Sequence, residues 1–118
     1  MPFHAILKEL VDAVPDAVGA ILVDWEGEAV QEYCHCDSYD IRFVGAHNGI
    51  ILSRLRETHA ESQGGEIEDV VITSERQVLL IGTVDPDYSL VLQTERTCPA
   101  GLARHHFNNA LTRLKKEL

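Results

Sequence analysis

The sequence predicts a three-layer α/β sandwich: a five-stranded sheet, mixed or antiparallel, with helices available for both faces. Three observations carry this. Helical periodicity marks three segments, residues 3–14, 37–65 and 99–118. Five short runs of β character lie between them, in the order α-β-β-α-β-β-β-α. At 118 residues, without internal repeat, linker or low-complexity tract, residues 1–118 read as a single domain. Folding a chain of this size buries roughly 65% of its unfolded surface, enough for a real core.

Composition narrows the functional classes. A hydrophobic content of 45% and a charged content of 25% describe an ordinary soluble globular protein. Ten basic against nineteen acidic residues give a net charge of −9, which opposes binding to nucleic acid or an anionic membrane. The apolar runs are too short to span a bilayer, and Met1-Pro2-Phe3-His4 does not read as the start of a signal peptide. Three cysteines, an odd number, fit reduced thiols rather than a disulfide scaffold. A cytoplasmic location is expected, with no nucleic-acid or membrane partner.

The first helix, Phe3 to Val14, places Phe3, Ile6, Leu7, Leu10, Val11 and Val14 on one side and Lys8, Glu9 and Asp12 on the other. Pro15 stops it. One lysine is too little basic charge for a membrane-surface helix, so a core-covering helix is expected. Ala17 to Asp24 is almost wholly apolar; its length and β-branching favour a strand buried on both faces over a buried helix. Trp25-Glu26-Gly27-Glu28 is a tight turn. Ala29 to Cys34 returns as a more polar strand, expected at an edge.

The long central helix lies within Asp37 to Gly65. Asp37 or Ser38 caps its start, Asp40 adds favourable charge, and Gly64 or Gly65, after Ser62-Gln63, is expected to end it. Without proline, it should run about six or seven turns. At about 100° per residue, Ile41, Val44, Asn48, Ile51, Leu52 and Leu55 form one stripe, with Gly45 inside it. A second holds Phe43, Ala46 and Ile50, flanked by His47, Arg54 and Glu57. Only the strip with Arg42, Gly49, Ser53 and Arg56 suits water. A helix with one buried face is apolar over little more than about 100°. Two apolar faces therefore imply packing on its own domain and on something else.

Ile67 to Thr73 reads as a strand, Ser74-Glu75-Arg76 as a hairpin turn, Gln77 to Val84 as a strand, Asp85-Pro86-Asp87 as a turn and Tyr88 to Thr94 as the fifth strand. Connections this short make the three an antiparallel meander. The last helix runs from about Pro99 to Leu118, with Pro99 at its first position. Its stripe is Ala103, Phe107, Ala110, Leu111, Leu114 and Leu118, and Arg113, Lys115 and Lys116 suit its negative end.

No reaction is specified by these residues. Cys34-His35-Cys36 offers good zinc ligands, which Cys98 with His105 and His106 could complete. Cys-x-Cys is tighter than the usual two-to-four-residue knuckle, and Cys98 with His105 is no recognised second half, so neither metal nor cofactor is expected. A disulfide between thiols one residue apart would be strained. His105-His106 sit on a helix where neighbours face different ways. No Ser, Cys or Lys has the setting of an activated nucleophile, and no phosphate-binding glycine loop follows a strand. The expectation is a protein that is not an enzyme.

The element order resembles that of the roadblock/dynein light chain family. So do Val14-Pro15-Asp16-Ala17-Val18-Gly19-Ala20-Ile21-Leu22-Val23-Asp24 leading into Glu26-Gly27, Ile67 to Thr73 with Val78-Leu79-Leu80-Ile81, and Asp87-Tyr88-Ser89-Leu90-Val91-Leu92. Cys98-Pro99-Ala100-Gly101-Leu102-Ala103-Arg104 is similar to the family's entry into its last helix. The likeness spans essentially the whole chain through hydrophobic patterns and one or two glycines; Cys34-His35-Cys36 stands outside it. It implies a profilin-like sheet in strand order 2-1-5-4-3, and dimers formed through the central helix and third strand. Bacterial stand-alone members act with Ras-like small GTPases, some activating GTP hydrolysis, and this short acidic chain resembles that class.

The residues themselves also ask for a partner. Phe43, Ala46 and Ile50 form an apolar face without a cover, and Ile67 to Thr73 is an apolar edge in the implied order. A symmetric homodimer covers both, through Phe43, Ala46, His47, Ile50, Arg54, Glu57, Ile67 and Val71. A monomer with a loop over the helix is the alternative, and the short connections leave few residues for it. Arg42, Ser53 and Arg56 are then the expected docking strip for a Ras-like GTPase. The other functional expectation is a small-molecule, metal or redox sensor using the Cys34-His35-Cys36 linker.

Overall fold

The computed structural model describes residues 2–60 and 63–118. Among these, the elements are α1 Phe3–Ala13, β1 Ala17–Asp24, β2 Ala29–Cys34, α2 Ser38–His59, β3 Asp69–Thr73, β4 Gln77–Asp85, β5 Tyr88–Glu95 and α3 Ala100–Glu117. The strands form one sheet in the order β2-β1-β5-β4-β3, and every neighbouring pair is antiparallel. The sheet is therefore antiparallel rather than mixed, in the order the resemblance implied.

Alternation along β1, β4 and β5 divides the apolar residues between two faces. Ala20, Leu22, Leu80, Leu90 and Leu92 meet α1 and α3, whose Phe3, Ile6, Leu7, Leu10, Phe107 and Leu114 complete the larger core. Ile21, Val23, Leu79, Ile81 and Val91 meet Ile41 and Leu52 of α2 in a smaller one. The larger core is tied at its rim by the Arg113–Glu9 ion pair between α3 and α1.

The turns are built as their residues require. Gly27 takes φ 84° at the β1–β2 turn, where the Asp24 carboxylate accepts from the N–H groups of Glu26 and Glu28 at 2.9 and 3.0 Å. The Asp85 carboxylate likewise accepts from Asp87 and Tyr88 N–H at 2.8 and 3.0 Å. Asp16 adopts φ 62° after Pro15, a conformation an aspartate tolerates better than most residues. There its carbonyl accepts from Glu95 N–H and its carboxylate from the Thr97 hydroxyl.

Several boundaries differ from expectation. α2 ends at His59 with Ala60 still in right-handed geometry, so neither Gly64 nor Gly65 caps it, and Ser62 lies outside the described residues. Gly65 does take a left-handed φ of 88°, but in the segment beyond the helix. β3 begins at Asp69, not Ile67. The carbonyls of Ile67 and Glu68 are bonded by the hydroxyl and N–H of Thr83, close to where the β4–β5 register shifts. Pro99, at ψ 120°, is the residue before α3 rather than its first; its carbonyl accepts from Ala103 N–H.

Candidate functional site

The Asp37 carboxylate starts α2 by accepting from Tyr39 N–H at 2.9 Å, which satisfies one of the free donors of the first turn. The helix then lies mainly over β1 and β2. Ile41, Gly45, Asn48, Gly49 and Leu52 are its buried residues. Asn48 is tolerated there because its side-chain amide donates to the Val44 carbonyl at 2.8 Å.

This orientation corrects two assignments. Ile51 and Leu55, expected in the core stripe, are each 39% exposed, because α2 stops short of the β3 side of the sheet. Gly49, expected on the strip facing water, is buried against Val23. The two glycines, one turn apart, are what let the helix settle onto the sheet.

The opposite side of α2 carries exposed apolar side chains. Phe43 is 56% and Ile50 42% exposed, and Tyr39 extends the ridge towards the N-terminus. His47 stacks on Phe43 with ring centroids 4.2 Å apart, and its Nδ1 lies 2.8 Å from the Phe43 carbonyl. Ala46 is half-buried beneath the β1–β2 turn, where Gly27 approaches its backbone. Arg54 and Glu57 are exposed. Ile51 and Leu55 continue this surface around the helix towards Val70 and Ile72 of β3, both only half-buried. Val71 is 44% exposed and points to the α3 side of the sheet, where it lines a cavity with Ala103. Of the expected interface residues, Ile67 is half-buried against the α2-side core.

The expected docking strip is less uniform. Arg42 is engaged by Glu32 of β2, Nη2 to Oε1 at 2.6 Å and Nε to Oε1 at 2.8 Å. Ser53 and Arg56 are half-buried, and Arg56 borders a depression with His59, Glu66 and Ile67. Fourteen residues of helix separate the arginines by roughly 21 Å.

The cysteine linker divides across the sheet edge. Cys34 and Cys36 pack on the α2 side, with Cys34 Sγ donating to the Cys36 carbonyl at 3.0 Å. His35 turns to α1, meeting Asp12 at 3.4 Å and the edge of Tyr33. Cys98 belongs to the core on the opposite face, and His105 and His106 contact each other on α3. The sheet thus separates the Cys34 and Cys36 thiols from Cys98, His105 and His106. Among the described residues, no group of three or more His, Cys, Asp or Glu could hold a metal ion. Burial, then the neighbouring Cys34 thiol, pushes the Cys36 thiol up to about 12. It is a poor nucleophile at neutral pH. No helix among the described residues is long and apolar enough to cross a membrane.

No protein-family model and no curated protein matches the sequence. In structure the chain is similar to MglB from Myxococcus xanthus, with a TM-score of 0.88 at 16% identity over 98% of this chain and 94% of that one. It is also similar to the Roadblock/LC7 domain from Streptomyces avermitilis, with a TM-score of 0.86 at 17% identity over 97% and 95%. The chain has the Roadblock/LC7 fold. Acanthamoeba castellanii profilin II shares the broader architecture, with a TM-score of 0.66 at 9% identity over 98% of each chain.

The sequence missed Ile51 and Leu55 as surface residues. A usable signal was present: Gly45 and Gly49, four apart, mark the close-approach side of a helix, and a stripe centred on them leaves Ile51 and Leu55 at its margin.

Proposed function

We propose that this protein is a non-catalytic homodimer that regulates or scaffolds a Ras-like small GTPase in the cytosol. The single observation that carries the proposal is the exposed apolar ridge of α2, Phe43 with Ile50, continued by Ile51 and Leu55 beside the open β3 edge. A second copy related by a two-fold axis covers the ridge with its own and extends the sheet across β3. Full burial of a Phe or Ile side chain is worth about 1.5–3 kcal/mol. Phe43, Ala46, His47, Ile50, Arg54, Glu57, Ile67 and Val71 are the proposed interface, and the exposure of Ile51 and Leu55 supports including them in it.

The GTPase enters through the resemblance to the roadblock/dynein light chain family and the shared fold. Arg42, Ser53 and Arg56 are its proposed docking positions on α2, with Arg42 exchanging Glu32 for a carboxylate of the partner. Three free cysteines suit the reducing cytosol. The test is calorimetry of the purified protein against a Ras-like GTPase from the same cell, loaded in turn with GDP and a non-hydrolysable GTP analogue. Saturable binding in at least one nucleotide state is expected. Absence of binding in both states contradicts the GTPase assignment.

A further inference from the structure

We propose that the cavity beneath the first turn of α3 is a binding site for a small neutral apolar molecule, between benzene and indole in size. The cavity holds about 190 Å³ and is lined by Val71, Val78, Leu80, Cys98 and Ala103, with Arg104 at its rim. It lies on the face of the sheet opposite α2, away from the apolar ridge and the arginine strip, and shares only Val71 with the proposed dimer interface.

The sequence explains why the space is there. Further along α3, Phe107, Leu111 and Leu114 fill the gap between helix and sheet. The first turn offers only Ala100 and Ala103, preceded by Cys98, while the sheet below continues through Val78 and Leu80 to Val71. Large apolar surface on one side thus meets small side chains on the other. The resulting void forfeits contacts that a ligand would restore.

The lining selects the ligand class. The Thr94 hydroxyl, which also borders the cavity, donates to the Glu95 carbonyl at 3.1 Å. The Cys98 thiol is directed to the Pro99 carbonyl at 3.7 Å, and burial raises its pKa, which keeps it neutral. The Arg104 guanidinium is held by Asp69 at 2.9 Å, so its charge is already paired. No buried side-chain polar atom among the described residues lacks a partner, and the polar groups named here already have theirs. An apolar cavity of roughly 150 Å³ is enough to stay dry and bind benzene.

The test uses toluene as the probe and methyl NMR of the intact protein as the readout. Toluene should shift the Val71, Val78, Leu80 and Ala103 methyls saturably. It should also slow alkylation of Cys98 by N-ethylmaleimide at least fivefold in a Cys34→Ser/Cys36→Ser background. Ala100→Leu, at the exposed rim, should abolish both effects; if that variant fails to fold, Ala103→Val takes its place. Shifts that do not saturate, shifts centred on α2, or toluene binding unchanged in the filled variant would overturn the site.

Discussion

Gly45 of α2 stands so close to Ile21 of β1 that a Cβ built on it would lie 2.7 Å from the isoleucine Cγ2. Ile21 is fully buried and has nowhere to retreat. This contact fixes which side of α2 meets the sheet, and so which side carries Phe43 and Ile50 outward. Gly45→Ala gains about 1 kcal/mol of helix propensity against roughly 1–3 kcal/mol of overpacking. The expected outcome is net loss of stability, read as a lower urea midpoint with an unchanged slope. At Gly49 the nearest atom, Val23 Cγ2, is at 3.0 Å, so Gly49→Ala should cost less than Gly45→Ala. A Gly45→Ala protein more stable than wild type would contradict the seating of the helix.

How far the sequence reveals this molecule follows from the same helix. Element order, hairpin turns and both cores were legible, because period-2 and period-3.6 patterns report burial directly. The side of α2 was legible only in part. Hydrophobicity alone put Ile51 and Leu55 in the core and Gly49 in water, while packing put the small residues inside and left the larger ones at the margin. Val71 was read as part of an apolar edge; the β-strand alternation then sends it to the face opposite its neighbours Val70 and Ile72. The end of α2 was illegible for another reason: a glycine with left-handed φ can turn a loop as well as cap a helix, and Gly65 does the former.

The Cys36 thiol gives a pH signature. Its pKa in the folded chain is about 12, against an ordinary 9.0. Between those values the unfolded chain loses a proton that the folded chain keeps. The folded state binds more protons there, and stability falls as pH rises through the window. The contribution is fully present below pH about 9. Urea midpoints measured from neutral to alkaline pH should decline above that point, and Cys36→Ser should flatten the decline. Iodoacetamide at neutral pH should alkylate Cys36 more slowly than a free thiol.

The cysteine linker is expected to hold no structural metal, since His35 faces α1 while Cys34 and Cys36 face α2. Elemental analysis of protein purified without added metal should find none near one equivalent. Stoichiometric zinc that disappears in Cys34→Ser/Cys36→Ser would show that the linker rearranges to bind it.

Arg42 and Arg56 separate docking from folding. The Arg42–Glu32 pair is exposed on the arginine side and should contribute less than about 1 kcal/mol to stability. Arg42→Ala/Arg56→Ala should therefore fold and self-associate like wild type while binding the GTPase more weakly in calorimetry. Equal affinity for wild type and double variant would place docking elsewhere on the surface.

The proposed dimer places a second copy of this chain over the α2 ridge. Sedimentation equilibrium at micromolar concentration distinguishes dimer from monomer, with wild type compared against Phe43→Asp/Ile50→Asp. Wild type is expected to sediment at twice the 13.1 kDa chain mass and the double variant to be monomeric or to aggregate. A wild-type protein sedimenting at the mass of one chain would contradict it.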